Sequence, residues 1–147
     1  MLTLRGSTFA RGRSTFSDQA PGRHEPTAKI FVKVHFEGLE KPILAQIDTG
    51  AAWSVLAPEI ARKIGVADVS SEQQARLRTH LGVWEGHLVR LPFTLVADEG
   101  DSLRSEGVFF VCSDWPQGWT FLGYSGLLDS IRFARDPQAN DFYFGAS

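Results

Sequence analysis

The sequence predicts a mostly-β fold, a closed barrel or sandwich with a long hairpin and one or two short helices. Short runs of period-two hydrophobicity recur along the chain, as in Ile30, Val32, Val34 and Phe36. Turn-forming clusters such as Glu37-Gly38-Leu39-Glu40 and Asp98-Glu99-Gly100-Asp101-Ser102 separate them. Only two stretches, one opening at Pro58 and one near Tyr124, read as helical. Many short strands with regular turns and little helix are the pattern of barrels and sandwiches.

In chain order, residues 1–27 read as a disordered basic tail and residues 28–147 as the folded domain. Within residues 1–24, Arg5, Arg11, Arg13 and Arg23 face only Asp18, a net of +3. This segment shows no sustained period and no apolar stretch of secretory-signal length. Its Arg- and Ser-rich character faintly resembles a transit peptide; a plain tail or a pro-segment is the simpler reading. Order is expected from Ala28, with a strand over Lys29–Phe36 and a return strand over Pro42–Ile47 forming a hairpin. Asp48-Thr49-Gly50-Ala51 follows, then a strand at Trp53–Leu56 and a helix with Pro58 in its first turn and Gly65 at its stop. Two strands near 75–80 and 87–97 flank a hairpin tip at 81–86. A strand over Gly107–Cys112, a loop over Ser113–Trp119 and the segment Phe121-Leu122-Gly123 lead to a helix over Tyr124–Ser130. Strands at Ile131–Ala134 and Phe142–Phe144 flank a turn at Asp136–Asn140.

The 147 residues suit a single core that buries roughly two-thirds of the unfolded chain's surface. Cys112 is the one cysteine, so disulfide frameworks and Cys-rich zinc modules are excluded, and a reducing, cytoplasmic setting is expected. A net charge of −2 disfavours a generally basic nucleic-acid binder. No apolar run approaches the roughly 20 residues of a membrane-spanning helix, so no membrane partner is expected.

Asp48 is the most informative position. The apolar strand Ile43-Leu44-Ala45-Gln46-Ile47 delivers its carboxylate into a tight Thr-Gly turn, where backbone N–H groups can orient it and Gly50 permits close approach. An Asx-type turn, in which Asp48 only satisfies its own backbone, accounts for the three residues equally well. The wider context separates the two. Asp48-Thr49-Gly50-Ala51-Ala52-Trp53-Ser54-Val55-Leu56 resembles the catalytic loop of the retropepsin-like (retroviral-type, single-domain) aspartic proteases. Phe121-Leu122-Gly123 is similar to that family's downstream pattern of two hydrophobic residues and a glycine, and Gly126-Leu127-Leu128-Asp129 to the short helix after it. The 81–86 tip resembles the family's mobile flap. The likeness covers about residues 28–145 and is nearest bacterial or retroelement-like members. Departures are Tyr124 and Ser125, where viral members carry a charged and a polar residue, and a flap with few glycines and Trp84.

The resemblance implies an aspartic endopeptidase. Peptide hydrolysis by carboxylates needs two of them around one water, and like charges about 3 Å apart share a proton rather than both ionising. The chain holds one Asp-Thr-Gly, so a homodimer is implied, with Asp48 of each subunit meeting across the two-fold axis. Thr49 would hydrogen-bond across that axis. The substrate-binding residues implied are Ala51 and, on the flap, Gly82, Val83, Trp84, Glu85 and Gly86. No metal and no organic cofactor is implied. Ala51 stands where pepsin-like enzymes have a hydroxyl, which points to an activity optimum at mildly acidic or neutral pH. A dimeric peptide-binding or scaffold domain without turnover, or a latent unit blocked by residues 1–24, are the other readings.

Further motifs carry blander readings. Gly123-Tyr124-Ser125-Gly126 superficially resembles a serine-hydrolase elbow, but Leu127 stands where its last glycine belongs; Ser125 is expected to cap the following helix. His80 and His87 could face each other across the flap, although ordinary strand positions are the simpler account of all four histidines. Cys112 is expected to be a buried strand residue. Trp53 is expected in packing, Trp84 in packing or in substrate contact, and Trp115 and Trp119 in a subsite or in loop packing. Asp98, Glu99 and Asp101 are expected to form a solvated turn.

Overall fold

The computed structural model describes residues 1–68 and 73–147. Strands β1 (Leu2–Leu4), β2 (Ser7–Ala10), β3 (Gly12–Thr15) and β4 (Ser17–Gln19) precede the long β5 (Pro26–Phe36). Strands β6 (Ile43–Ile47) and β7 (Ser54–Val55) and helix α1 (Pro58–Lys63) follow. The flap hairpin is β8 (Gln73–Thr79) and β9 (Gly82–Leu95), and after it come β10 (Glu99–Gly100) and β11 (Leu103–Val111). The chain continues through β12 (Phe121–Leu122), a 3-10 turn at Leu128–Ser130, β13 (Ile131–Asp136) and β14 (Asp141–Ala146).

The largest sheet runs β4-β5-β6-β12-β7-β11-β9-β8, and β5 also pairs with β9. That second pairing, Val34 with Leu95 through Phe36 with Phe93, closes the stretch from β5 to β9 into a barrel and leaves β4 and β8 outside the closed ring. The predicted mostly-β closed architecture is therefore the observed one. Val32, Val34 and Phe36 fill the barrel as their period two requires, and Phe36 and Phe93 stand edge-on to Phe109. Strand β12 inserts between β6, to which it is parallel, and β7, to which it is antiparallel. This insertion brings residues 121–123 beside the Asp48 turn.

Helix α1 opens with Pro58 in its first turn and ends before Gly65, as expected. The expected helix over 124–130 is only a series of turns and the 3-10 segment. Gly126, at φ +76°, leaves the right-handed region in the middle of it. Ser125 therefore caps nothing; the Gly126 N–H donates to the Asp129 carboxylate instead. Strand β11 begins at Leu103, earlier than its apolar residues suggest, because its polar first half pairs with β9 from Leu95 onward. Among the described residues no helix is long and apolar enough to cross a membrane.

Residues 1–27 are not a disordered tail. Strand β3 pairs with β14 on one side and β10 on the other, in a four-stranded sheet ordered β10-β3-β14-β13. Ala10, Ser14, Phe16 and Ala20 are buried, and β4 adds to β5 at the edge of the barrel sheet. The strands are three or four residues long and pair with distant segments, so no local period announces them. The acidic turn is likewise not merely solvated. Asp98 pairs with Lys33 and accepts the Thr15 backbone N–H at 2.8 Å, while Glu99 and Asp141 both pair with Arg13. Arg13 of the first segment thus meets acids from the rest of the chain. Flanked by these two acids, the Arg13 guanidinium holds its proton above the ordinary range, chiefly through its hydrogen bonds to Glu99 and then Asp141. Tyr143 is raised too, first by burial and then by the Asp141 charge.

Candidate active site

Asp48 follows directly on β6, which is hydrogen-bonded to β5 on one side and β12 on the other, so the turn is anchored at its base. The Asp48 N–H donates to the Leu122 carbonyl at 2.9 Å. Its carboxylate is half-buried, and Oδ1 accepts the Gly50 N–H at 3.0 Å. The turn closes with the Ala51 N–H on the Asp48 carbonyl at 3.2 Å. This is the geometry of the Asx-type turn, and it orients the carboxylate.

The steric role expected of Gly50 belongs elsewhere. A Cβ on Gly50 would sit 3.4 Å from Asp48 Oδ1, an ordinary contact, whereas one on Gly123 would lie 2.4 Å from the Trp53 carbonyl carbon and oxygen. Gly123 is where two backbones cross. Its N–H donates to Ser54 Oγ at 2.9 Å, and the Tyr124 and Ser125 N–H groups donate to the Ala51 and Ala52 carbonyls. These bonds stitch the Asp48 loop to the segment after β12, which explains the pairing of the two motifs. Fully buried Ser54 was not singled out from the sequence; a hydroxyl among apolar strand residues was its signal.

A cavity of about 490 Å³ opens at the carboxylate. Asp48, Gly50 and Ala51 line it, with Trp53, Trp115 and Phe121, and the flap contributes Leu77 to Leu81. The flap thus meets the Asp48 loop as expected, but with different residues. The strands continue to a two-residue turn, pairing Thr79 with Gly82, because Val83 and Trp84 favour a pleated surface. None of Gly82, Val83, Trp84, Glu85 and Gly86 lines the cavity. Glu85 pairs with Arg76 at 2.7 Å, Val83 faces outward, and Trp84 packs edge-on to Trp115 at 5.3 Å. Thr49 is exposed on the turn.

Gln46, two residues before Asp48, is the second residue sequence reasoning passed over. It is 8% exposed, its side-chain N–H donates to Asp48 Oδ2 at 3.4 Å, and its carbonyl accepts the Trp119 indole N–H at 2.9 Å. A lone amide in an otherwise apolar strand was the available signal. Trp119 also stands edge-on to Phe31, and the Arg23 guanidinium lies 6.0 Å from its ring centre.

His80 and His87 do not face one another: His80 is in the turn, and His87, opposite Gln74, bonds the Val66 carbonyl at 3.1 Å. Among the described residues, no three His, Cys, Asp or Glu side chains are grouped to hold a metal ion. Cys112 is buried and free, just past the end of β11.

No protein-family model and no curated protein matches the chain. Among solved structures, a retropepsin-like aspartic protease from Rickettsia conorii is similar to it, with a TM-score of 0.57 and 17% identity over 91% of this chain and 98% of that one. With its large mixed sheet, its strand inserted beside the Asp48 turn and the short helix α1, the chain has the retropepsin-like fold.

Proposed function

We propose that this chain is an aspartic endopeptidase that acts as a homodimer, with one Asp48 from each subunit activating a single water. The observation that carries the reading is the Asp48 carboxylate, oriented by the Gly50 N–H at the floor of a flap-bordered groove. Among the described residues lining that groove it is the only acid. One protomer therefore offers half of what the chemistry needs.

In the dimer one carboxylate is ionised and accepts a proton from water as the oxygen attacks the scissile carbonyl carbon. The other, protonated, donates to the carbonyl oxygen and stabilises the developing charge. Collapse of the resulting diol breaks the C–N bond as the amide nitrogen takes up a proton. A substrate held extended against the Asp48 floor, with side chains in apolar pockets, suits the Trp53, Trp115 and Phe121 lining. Movement of the Leu77–Leu81 end of the flap admits and covers it. The reading calls on no metal or organic cofactor. Exposed Tyr124, Leu81 and Val83, at 53%, 59% and 47%, are apolar surface beside this site that a second subunit would cover.

Incubating the protein and its Asp48→Asn variant with a diverse peptide pool, from acid to neutral pH, tests the reading. Cleavage by the wild type that disappears in the variant is expected. No cleavage at any pH, or equal cleavage by both proteins, overturns it and leaves a peptide-binding domain. Since Ala51 brings no hydroxyl to Asp48, kcat/KM is expected to peak in mild acid or near neutrality; a peak below about pH 3.5 contradicts that part.

A further inference from the structure

We propose that Gln46, its amide fixed by Trp119, is a positioning residue for the Asp48 carboxylate, holding Oδ2 as the Gly50 N–H holds Oδ1. The inference rests on the endopeptidase reading for its catalytic meaning, but its geometry stands on the protomer alone. Gln46 and Asp48 are two residues apart on extended chain, so their side chains leave the same side. The Gln46 backbone is held between β5 and β12, in register with Phe31 and Phe121. A buried glutamine can be turned either way, presenting oxygen or N–H to its neighbour. Here the choice is forced. The Trp119 indole can only donate, so the Gln46 oxygen must face it, and the N–H₂ group must face Asp48. The indole itself stands edge-on to Phe31, with the Arg23 guanidinium 6.0 Å from its ring centre.

The consequence is for catalysis: a carboxylate held at both oxygens keeps the orientation that an attacking water requires. At 3.4 Å the Gln46 contact is long, as catalytic hydrogen bonds often are without substrate. Among the described residues, the other charged or titratable groups lining the cavity are Lys29 from β5 and Arg78 and His80 from the flap. Substituting Gln46 leaves all three in place.

The test records the Asp48 carboxyl carbon signal by NMR at one fixed pH, identified by its loss in Asp48→Asn, together with kcat and KM. Gln46→Met keeps the shape and removes the donor; Trp119→Phe keeps Gln46 but frees its amide, while retaining an aromatic face for Arg23. Relative to wild type, the signal is expected to move in Gln46→Met, and by less in Trp119→Phe, with kcat lowered severalfold at little change in KM. An unmoved signal in folded Gln46→Met overturns the role; should that variant not fold, an unmoved signal in Trp119→Phe does so. The two readings fail separately. A wild type that cleaves nothing ends the endopeptidase reading while the signal still decides the part played by Gln46. Asp48-dependent cleavage with coincident signals ends the Gln46 role alone.

Discussion

Gly123 meets a constraint that any side chain violates. An added Cβ would overlap the Trp53 carbonyl, and because the obstacle is backbone on both sides, neither rotamer change nor side-chain movement relieves it. Gly123→Ala is expected to cost about 3 kcal/mol or more, read by urea unfolding, and to lower activity by displacing the Asp48 loop. Gly50→Ala, with an ordinary contact at the same virtual atom, is expected to cost less within the protomer. At this scale Asp48 and its turn are legible in sequence, because an apolar strand running into Asp-Thr-Gly is a local pattern. Gln46 and Ser54 are less so. Their partners, Trp119 and Gly123, lie 73 and 69 residues away, and no local pattern ties either to a distant donor.

Among the elements, β3 and β4 differ most from expectation. They look like tail because each is short and its partners are remote, yet Phe16 is buried in the main core and Arg13 sits between Glu99 and Asp141. Removing residues 1–19 is therefore expected to abolish cooperative thermal unfolding rather than leave the barrel intact. Phe16→Ala alone is expected to cost roughly 3 kcal/mol. Asp98 ties the end of β3 to β5, and hydrogen bonds from Lys33 first, then from the Thr15 N–H, hold its carboxyl below the ordinary range. A depressed folded value contributes stability at pH above the ordinary value of 3.8, and that contribution is lost as pH falls through the folded value. Asp98→Asn is thus expected to be less stable than wild type near neutrality, with the gap closing on acidification below 3.8 in pH-dependent melts. The flap shows the opposite relation: its existence is legible, its tip is misplaced. Gly82 and Gly86 suggest a long turn, but Val83 and Trp84 between them keep the ladder paired to Gly82.

For the whole molecule, closure of β5 onto β9 makes the barrel one cooperative unit, and among the described residues the groove at its mouth holds one carboxylate. If two Asp48 residues act together, mixing wild type with an equal amount of Asp48→Asn under subunit exchange should leave about half the original activity, since mixed dimers hold a single active carboxylate. Unchanged activity would mean that each protomer works alone. Specific activity is expected to fall on dilution for the same reason.

By itself, the sequence determined what is local: a β-rich chain, the β5–β6 hairpin, the Pro58 helix, and a carboxylate set in a strand-to-turn junction. These follow from period, turn chemistry and a few adjacent residues. Only the tertiary structure decided that the first segment is woven into the fold, that the flap presents Leu77–Leu81 rather than 82–86, and that Gln46 and Gly123 frame Asp48. Each of those depends on pairing between segments far apart in the chain, where short strands gain stability only from partners that no local window contains.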